Sequence, residues 1–234
     1  MKKRLKLKWL KRKALRACKN QEAADTIESS IVPYRHLQSW DGDSKDVPTR
    51  IPKQAEIYQS ELEYVLRCIL ERPDIETGGE LFGFWKDDGA PVVAYAIGPG
   101  PNANHEYAFF NQDIDYLSGV GAVLTRKFGL EHIGEWHSHH KLGLAHPSGH
   151  DAATITHGMA SHRRDKFLLC IGTCSTRSAR LGGFAFQRHS GMNFSHVGWQ
   201  VFGIDSPYRH VIDNDLELVT TLVHPKTMEE IKHG

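Results

Sequence analysis

The amino-acid sequence predicts a mixed α/β fold built around one β-sheet. Short apolar runs of strand length interleave with longer runs whose apolar residues recur at helical spacing. Clusters of Gly, Pro and Asp punctuate them. The 234 residues are 40% hydrophobic and 24% charged, the balance of an ordinary soluble globular protein with room for one domain and extensions.

Residues 54–70 place apolar side chains at 57, 62, 65, 66, 69 and 70, a helical stripe, and Pro73 lies just beyond. Residues 80–85 and 92–97 read as short strands joined through the turn signal Asp87-Asp88-Gly89. Residues 111–127 carry a second helical stripe, and Gly129 suits its stop. Residues 130–139 read as a strand and 148–162 as a helix. Residues 166–174, 179–188 and 194–204 read as three more strands. The polar end of the chain has one short helical stretch at 226–232. The folded domain is therefore expected over 54–205, between an arm and linker at 1–53 and a tail at 206–234.

The formal net charge of +1 conceals an asymmetry. Residues 1–20 hold ten of the 29 basic residues and no acid, so the rest carries 19 basic against 28 acidic residues, a net −9. If helical, the arm gathers Leu7, Leu10, Ala14, Ala17 and Cys18 on an arc of about 100°. Three readings stay open for it: a helix on an anionic membrane surface, a contact to nucleic acid, or an accessory helix on its own body or a partner subunit. The acidic body argues against an extended nucleic-acid channel. The longest apolar runs are too short to span a bilayer. Four cysteines without a C-x-x-C pair make no disulfide framework, so a reducing cytoplasm is the expected compartment.

Chemistry concentrates in one region. Seven of the 15 histidines lie between positions 132 and 157. Along the run Glu135-Trp136-His137-Ser138-His139, His137 and His139 share one strand face and can hold one metal ion between their ring nitrogens. Neutral imidazoles suit zinc. Ser148 and Asp151 follow at the start of a helix. A third ligand from a separate element would leave the fourth position open to water, the layout of a catalytic ion.

The run H-S-H at 137–139 with P-S-G-H-D at 147–151 resembles the JAMM (MPN+, or JAB-domain) metalloprotease motif. Upstream, Glu76-Thr77-Gly78-Gly79-Glu80-Leu81-Phe82-Gly83 is similar to the stretch that carries that family's catalytic glutamate. The likeness covers about residues 54–204. Residues 140–147 make the loop one residue longer than the family's common form, and His140 stands where many relatives have proline. If the strand continues, His140 faces away from His139.

The resemblance implies an MPN/JAB-like single curved β-sheet flanked by helices, with one Zn²⁺ per chain. It implies His137, His139 and Asp151 as ligands, Glu76 as general base and acid, and Ser148 as hydrogen-bond donor to the oxyanion. The implied reaction is cleavage of an amide after the C-terminal glycine of a ubiquitin-like modifier, in processing or deconjugation. The compact form resembles bacterial members, which travel with E1-like and E2-like partners, some in antiviral (anti-phage) defence. A non-catalytic MPN scaffold and a metal-dependent enzyme on nucleic acid are the competing readings.

Other residues receive blander roles. Glu135 shares the strand face of the histidines and rivals Glu76 as the acid. Glu80 reads as a structural or substrate-edge acid, and His146 and His150 as exposed loop histidines. Trp136 alternates into the core. Cys170 and Cys174 lie about 13 Å apart along a strand, too far to bridge. His105, His157 and His162 receive no role.

Overall fold

A computed structural model describes residues 52–105 and 110–215. The expected arm helix in 1–20 and the stretch at 226–232 lie outside the described residues. Seven strands form the main sheet: β1 (Gln54–Tyr58), β2 (Gly78–Trp85), β3 (Pro91–Ala96), β6 (Glu131–Ser138), β7 (Lys166–Cys174), β8 (Ala179–Gln187) and β9 (Phe194–Phe202). A two-stranded ribbon, β4 (Asn104–His105) with β5 (Phe110–Asn111), stands apart from it. The helices are α1 (Gln59–Glu71), α2 (Ile114–Val123), α3 (Gly149–Ser161) and α4 (Pro207–Asp213).

The sheet runs in the order β1-β3-β2-β6-β7-β8-β9 and closes, because β9 pairs in parallel with β1 from Gln54↔Gly198 to Tyr58↔Phe202. This corrects the expected single curved sheet: the mixed α/β class holds, but the sheet is a closed barrel. The same strand corrects the helix expected over 54–70. Its first five residues are β1, and the helix starts at Gln59. Five residues are too few to separate a buried strand from a helix by apolar spacing. Pairing with β3 and β9 decides, and both partners lie far away in sequence.

Alternation along the strands sorts the core. Inward side chains Ile57, Leu81, Val93, Trp136, Leu168 and Cys170 pack with Val65 and Ile69 of α1. Leu169 and Ile171, the odd positions of the same β7, face outward onto Ile155 and Met159 of α3. Elsewhere Phe82 and Tyr95 meet Val120 of α2 and Ile212 of α4. A strand buried on both faces reads as a continuous apolar run, as Phe167–Gly172 does. Trp136 is fully buried, as expected, and its Nε1–H donates to the Ile97 carbonyl at 3.0 Å. A Cβ at Gly134 would lie 1.9 Å from the Leu168 carbonyl oxygen, so only glycine lets β6 and β7 approach here.

Helix ends follow side-chain chemistry. Asp113 caps α2 by accepting from Tyr116 N, which moves its start past the expected residue 111. Asn111 instead belongs to the ribbon. Helix α2 runs on through a π-helical turn, Leu124–Phe128, to Gly129 at φ +70°, the expected stop. Helix α4 is tied in by Arg209, which pairs with the buried Glu61 of α1 and lies over Tyr64 and Tyr95. Among the described residues no helix is long and apolar enough to cross a membrane.

Two pairings position the site. Strands β6 and β7 are parallel, so α3 carries the crossover between them and its N-terminus meets the end of β6. Strand β2 is antiparallel to β6, with Gly78 opposite His137. The chain just before β2 therefore also lies at the end of β6. Three segments converge on one point, one of them, just before β2, lying 61 residues from the end of β6 in sequence.

Candidate metal centre

His137 lies on β6, and His139 follows just past the strand's end. The His139 backbone N–H still donates to the Gly172 carbonyl at 2.8 Å, which holds it beside β7. The two Nε2 atoms face each other at 3.2 Å. Asp151, in the first turn of α3, presents Oδ1 to His137 Nε2 and Oδ2 to His139 Nε2, each at 3.5 Å. Among the described residues this is the one trio of His, Cys, Asp or Glu side chains whose ligand atoms converge.

The separations fit a metal ion. A four-coordinate ion with bonds of about 2.0–2.1 Å keeps its ligands about 3.3–3.4 Å apart. The 3.2 Å between the imidazole nitrogens and the 3.5 Å from each to its own Asp151 oxygen bracket that value. The tautomer fits as well. His139 Nδ1 lies 2.8 Å from the Leu144 carbonyl, which can only accept, so Nδ1 carries the proton and Nε2 keeps its lone pair.

The loop of 140–147 makes that contact. It opens with a tight turn over His140–Leu142, passes Gly143 at φ +70°, and returns the Leu144 carbonyl to His139. His140 is therefore not a continuation of the strand. It sits at φ +34° and is buried in the turn. The longer loop thus holds the His139 ring.

Ser148 caps α3 in a capping box. Its Oγ accepts from Asp151 N at 3.1 Å, and Asp151 Oδ2 accepts from Ser148 N at 2.6 Å. This box fixes the carboxylate that faces the histidines. Burial alone would raise the Asp151 carboxyl, but the facing imidazoles of His137 and His139 outweigh it and hold it well below the usual range. Burial opposes protonation of His139, yet the Asp151 carboxylate and the Leu144 carbonyl raise it.

Glu76 lies before β2, one residue from Thr77, which is bonded to Ser138 between the two histidines. Its segment is fastened on both sides. Thr77 N–H donates to Ser138 Oγ at 3.2 Å, and Ser138 N–H donates to the Thr77 carbonyl at 2.8 Å. On the other side, the His105 ring lies 2.9 Å from the Glu76 carbonyl. Nothing in the sequence near His105 marks it, because its partner is 29 residues away.

Glu135 stands opposite Glu80 across β6 and β2. Burial, with Glu80 beside it, pushes Glu135 up to about 7. Glu80 itself pairs with His132. His146 is an exposed loop residue whose ring rests on Phe184, and His150 is exposed. Cys170 is a buried free thiol, and burial pushes it up.

No family model matches the chain. A probable metalloprotease of Sinorhizobium fredii is 27% identical over 106 residues, which cover 43% of this chain and 63% of that protein. The chain thus spans less than two thirds of this relative's length. A protein of Desulfitobacterium hafniense, solved in solution, matches with a TM-score of 0.50 at 17% identity, over 67% of this chain and 99% of that one. The second likeness is one of fold alone; the first joins this sequence, over part of its length, to a probable metalloprotease.

Proposed function

We propose that the chain is a zinc-dependent isopeptidase or peptidase of the JAMM/MPN+ type, cleaving after the C-terminal glycine of a ubiquitin-like modifier. The observation that carries this reading is the convergence of His137, His139 and Asp151, with Glu76 on the segment bonded to Ser138 between the two histidines. Similarity to a probable metalloprotease supports it. Two imidazoles and one carboxylate form a three-ligand set of the catalytic kind, and borderline-soft nitrogen ligands suit zinc.

When bound, zinc supplies a Lewis acid that polarises the scissile carbonyl and makes water acidic near neutral pH. Glu76 takes a proton from the attacking water and gives it to the leaving amine. The Ser148 hydroxyl oxygen is occupied as acceptor of Asp151 N–H, which leaves its proton to donate to the developing oxyanion. Ser148 is exposed, so a substrate carbonyl can reach it. Processing and deconjugation, in a bacterial pathway with E1-like and E2-like partners, are the settings this chemistry would serve.

The test is cleavage of a ubiquitin-like fusion with a C-terminal extension by the zinc-loaded full chain and by Glu76→Ala. Cleavage by the wild type alone, with equal zinc in both, supports the reading. Zinc bound without any cleavage would overturn the substrate class.

A further inference from the structure

The ribbon β4–β5 has two register pairs, Asn104↔Asn111 and His105↔Phe110. The second pair meets the segment that carries Glu76 at both ends. His105 Nδ1 reaches the Glu76 carbonyl at 2.9 Å. Phe110 packs where a side chain at residue 78 would be, since a Cβ on Gly78 would lie 2.7 Å from its ring. The two rings also pack on each other, with centroids 5.2 Å apart. Between them, Thr77 is held by Ser138. Three successive residues, Glu76, Thr77 and Gly78, are thus each fixed by a different contact.

We infer that His105 is a positioning residue for Glu76: its ring N–H donates to the Glu76 carbonyl and fixes the peptide from which the carboxylate projects. This rests on the peptidase reading above. A carbonyl oxygen only accepts, so Nδ1 carries the proton. Glu76 precedes β2 and lacks the strand's ladder to hold its backbone. Without the His105 bond, that peptide is held only through its Thr77 N–H, and the carboxylate shifts while the metal ligands stay in place. His105 itself touches no reacting atom.

The experiment combines kinetics with a spectroscopic signature. On the zinc-loaded full chain, with the ubiquitin-like fusion as probe, His105→Ala lowers kcat by about tenfold to 100-fold and leaves KM and zinc content unchanged. His105→Asn, whose amide nitrogen replaces Nδ1, restores most of the rate. In a Glu76→Gln background, His105→Ala has no further effect, because it acts through the residue already removed. Nitrogen NMR of the neutral His105 ring finds the proton on Nδ1. A proton on Nε2, full activity of His105→Ala, or an equal loss in both backgrounds overturns the inference and leaves the peptidase reading intact. A wild type that cleaves no amide removes both.

Discussion

Thr77 and Ser138 exchange two hydrogen bonds, one from Thr77 N–H to Ser138 Oγ at 3.2 Å and one from Ser138 N–H to the Thr77 carbonyl at 2.8 Å. Both residues are fully buried. Ser138 lies between the two histidines and Thr77 follows Glu76, so this exchange fastens the candidate base to the strand that bears the candidate ligands. In Ser138→Ala the Thr77 N–H loses its partner in a buried place. The expected cost is about 1–3 kcal/mol in urea denaturation. A larger fractional loss of kcat than of zinc is also expected, read from metal content and turnover on the same sample.

Glu76 and Glu135 compete for the acid role, and the surroundings separate them. Glu135 is held in the sheet opposite Glu80, whereas Glu76 precedes β2, next to the Thr77 that is bonded to Ser138 at the end of β6. Glu76→Gln should lower kcat by about 10²- to 10⁴-fold with zinc retained. Glu135→Gln should stay within about tenfold of the wild type. The reverse ranking would transfer the role to Glu135.

Ser148 has two duties that substitution can separate. Ser148→Ala loses the helix cap, worth about 1 kcal/mol, and the hydroxyl donor, worth about 10²–10³ in kcat. Ser148→Thr keeps both groups and should recover much of the rate. Thermal melts set beside turnover measure the two losses independently.

Much of this site was legible because its signals are local. The side chains at 137 and 139 and the box at 148–151 follow from strand and helix periodicity over fifteen residues. The five strand and helix assignments between residues 130 and 204 hold to within two residues. What the sequence could not display depends on distant partners. Strand β1 is defined by β3 and β9, barrel closure by the same pairing, and the role of His105 by a carbonyl across a loop. The buried turn at His140 depends on the loop's return to His139, which no spacing rule foretells.

The pH dependence of folding carries a signature of Glu135. Its folded carboxyl is raised to about 7 from 4.5, mainly by burial and secondly by Glu80. The unfolded chain ionises near the lower value, so the folded state binds more protons between the two. Stability from this group is present at low pH and is lost as pH rises through about 7. Glu135→Gln removes that loss. In metal-free protein, the gain in Tm of the variant over the wild type should grow from about pH 5 to about pH 8. Parallel Tm profiles would refute the burial of this charge.

The proposed chemistry requires that His137, His139 and Asp151 together hold one metal ion. The most direct measurement is bound zinc per chain, by elemental analysis after dialysis, for the wild type and for His137→Ala, His139→Ala and Asp151→Ala. The convergence of the three side chains, with the imidazole nitrogens 3.2 Å apart and each 3.5 Å from one oxygen of the Asp151 carboxylate, predicts about one zinc in the wild type and a loss of about 10-fold or more in affinity for each variant, with circular dichroism unchanged. A well-folded wild type that binds no zinc, or three variants that bind it as tightly as the wild type, would contradict the account.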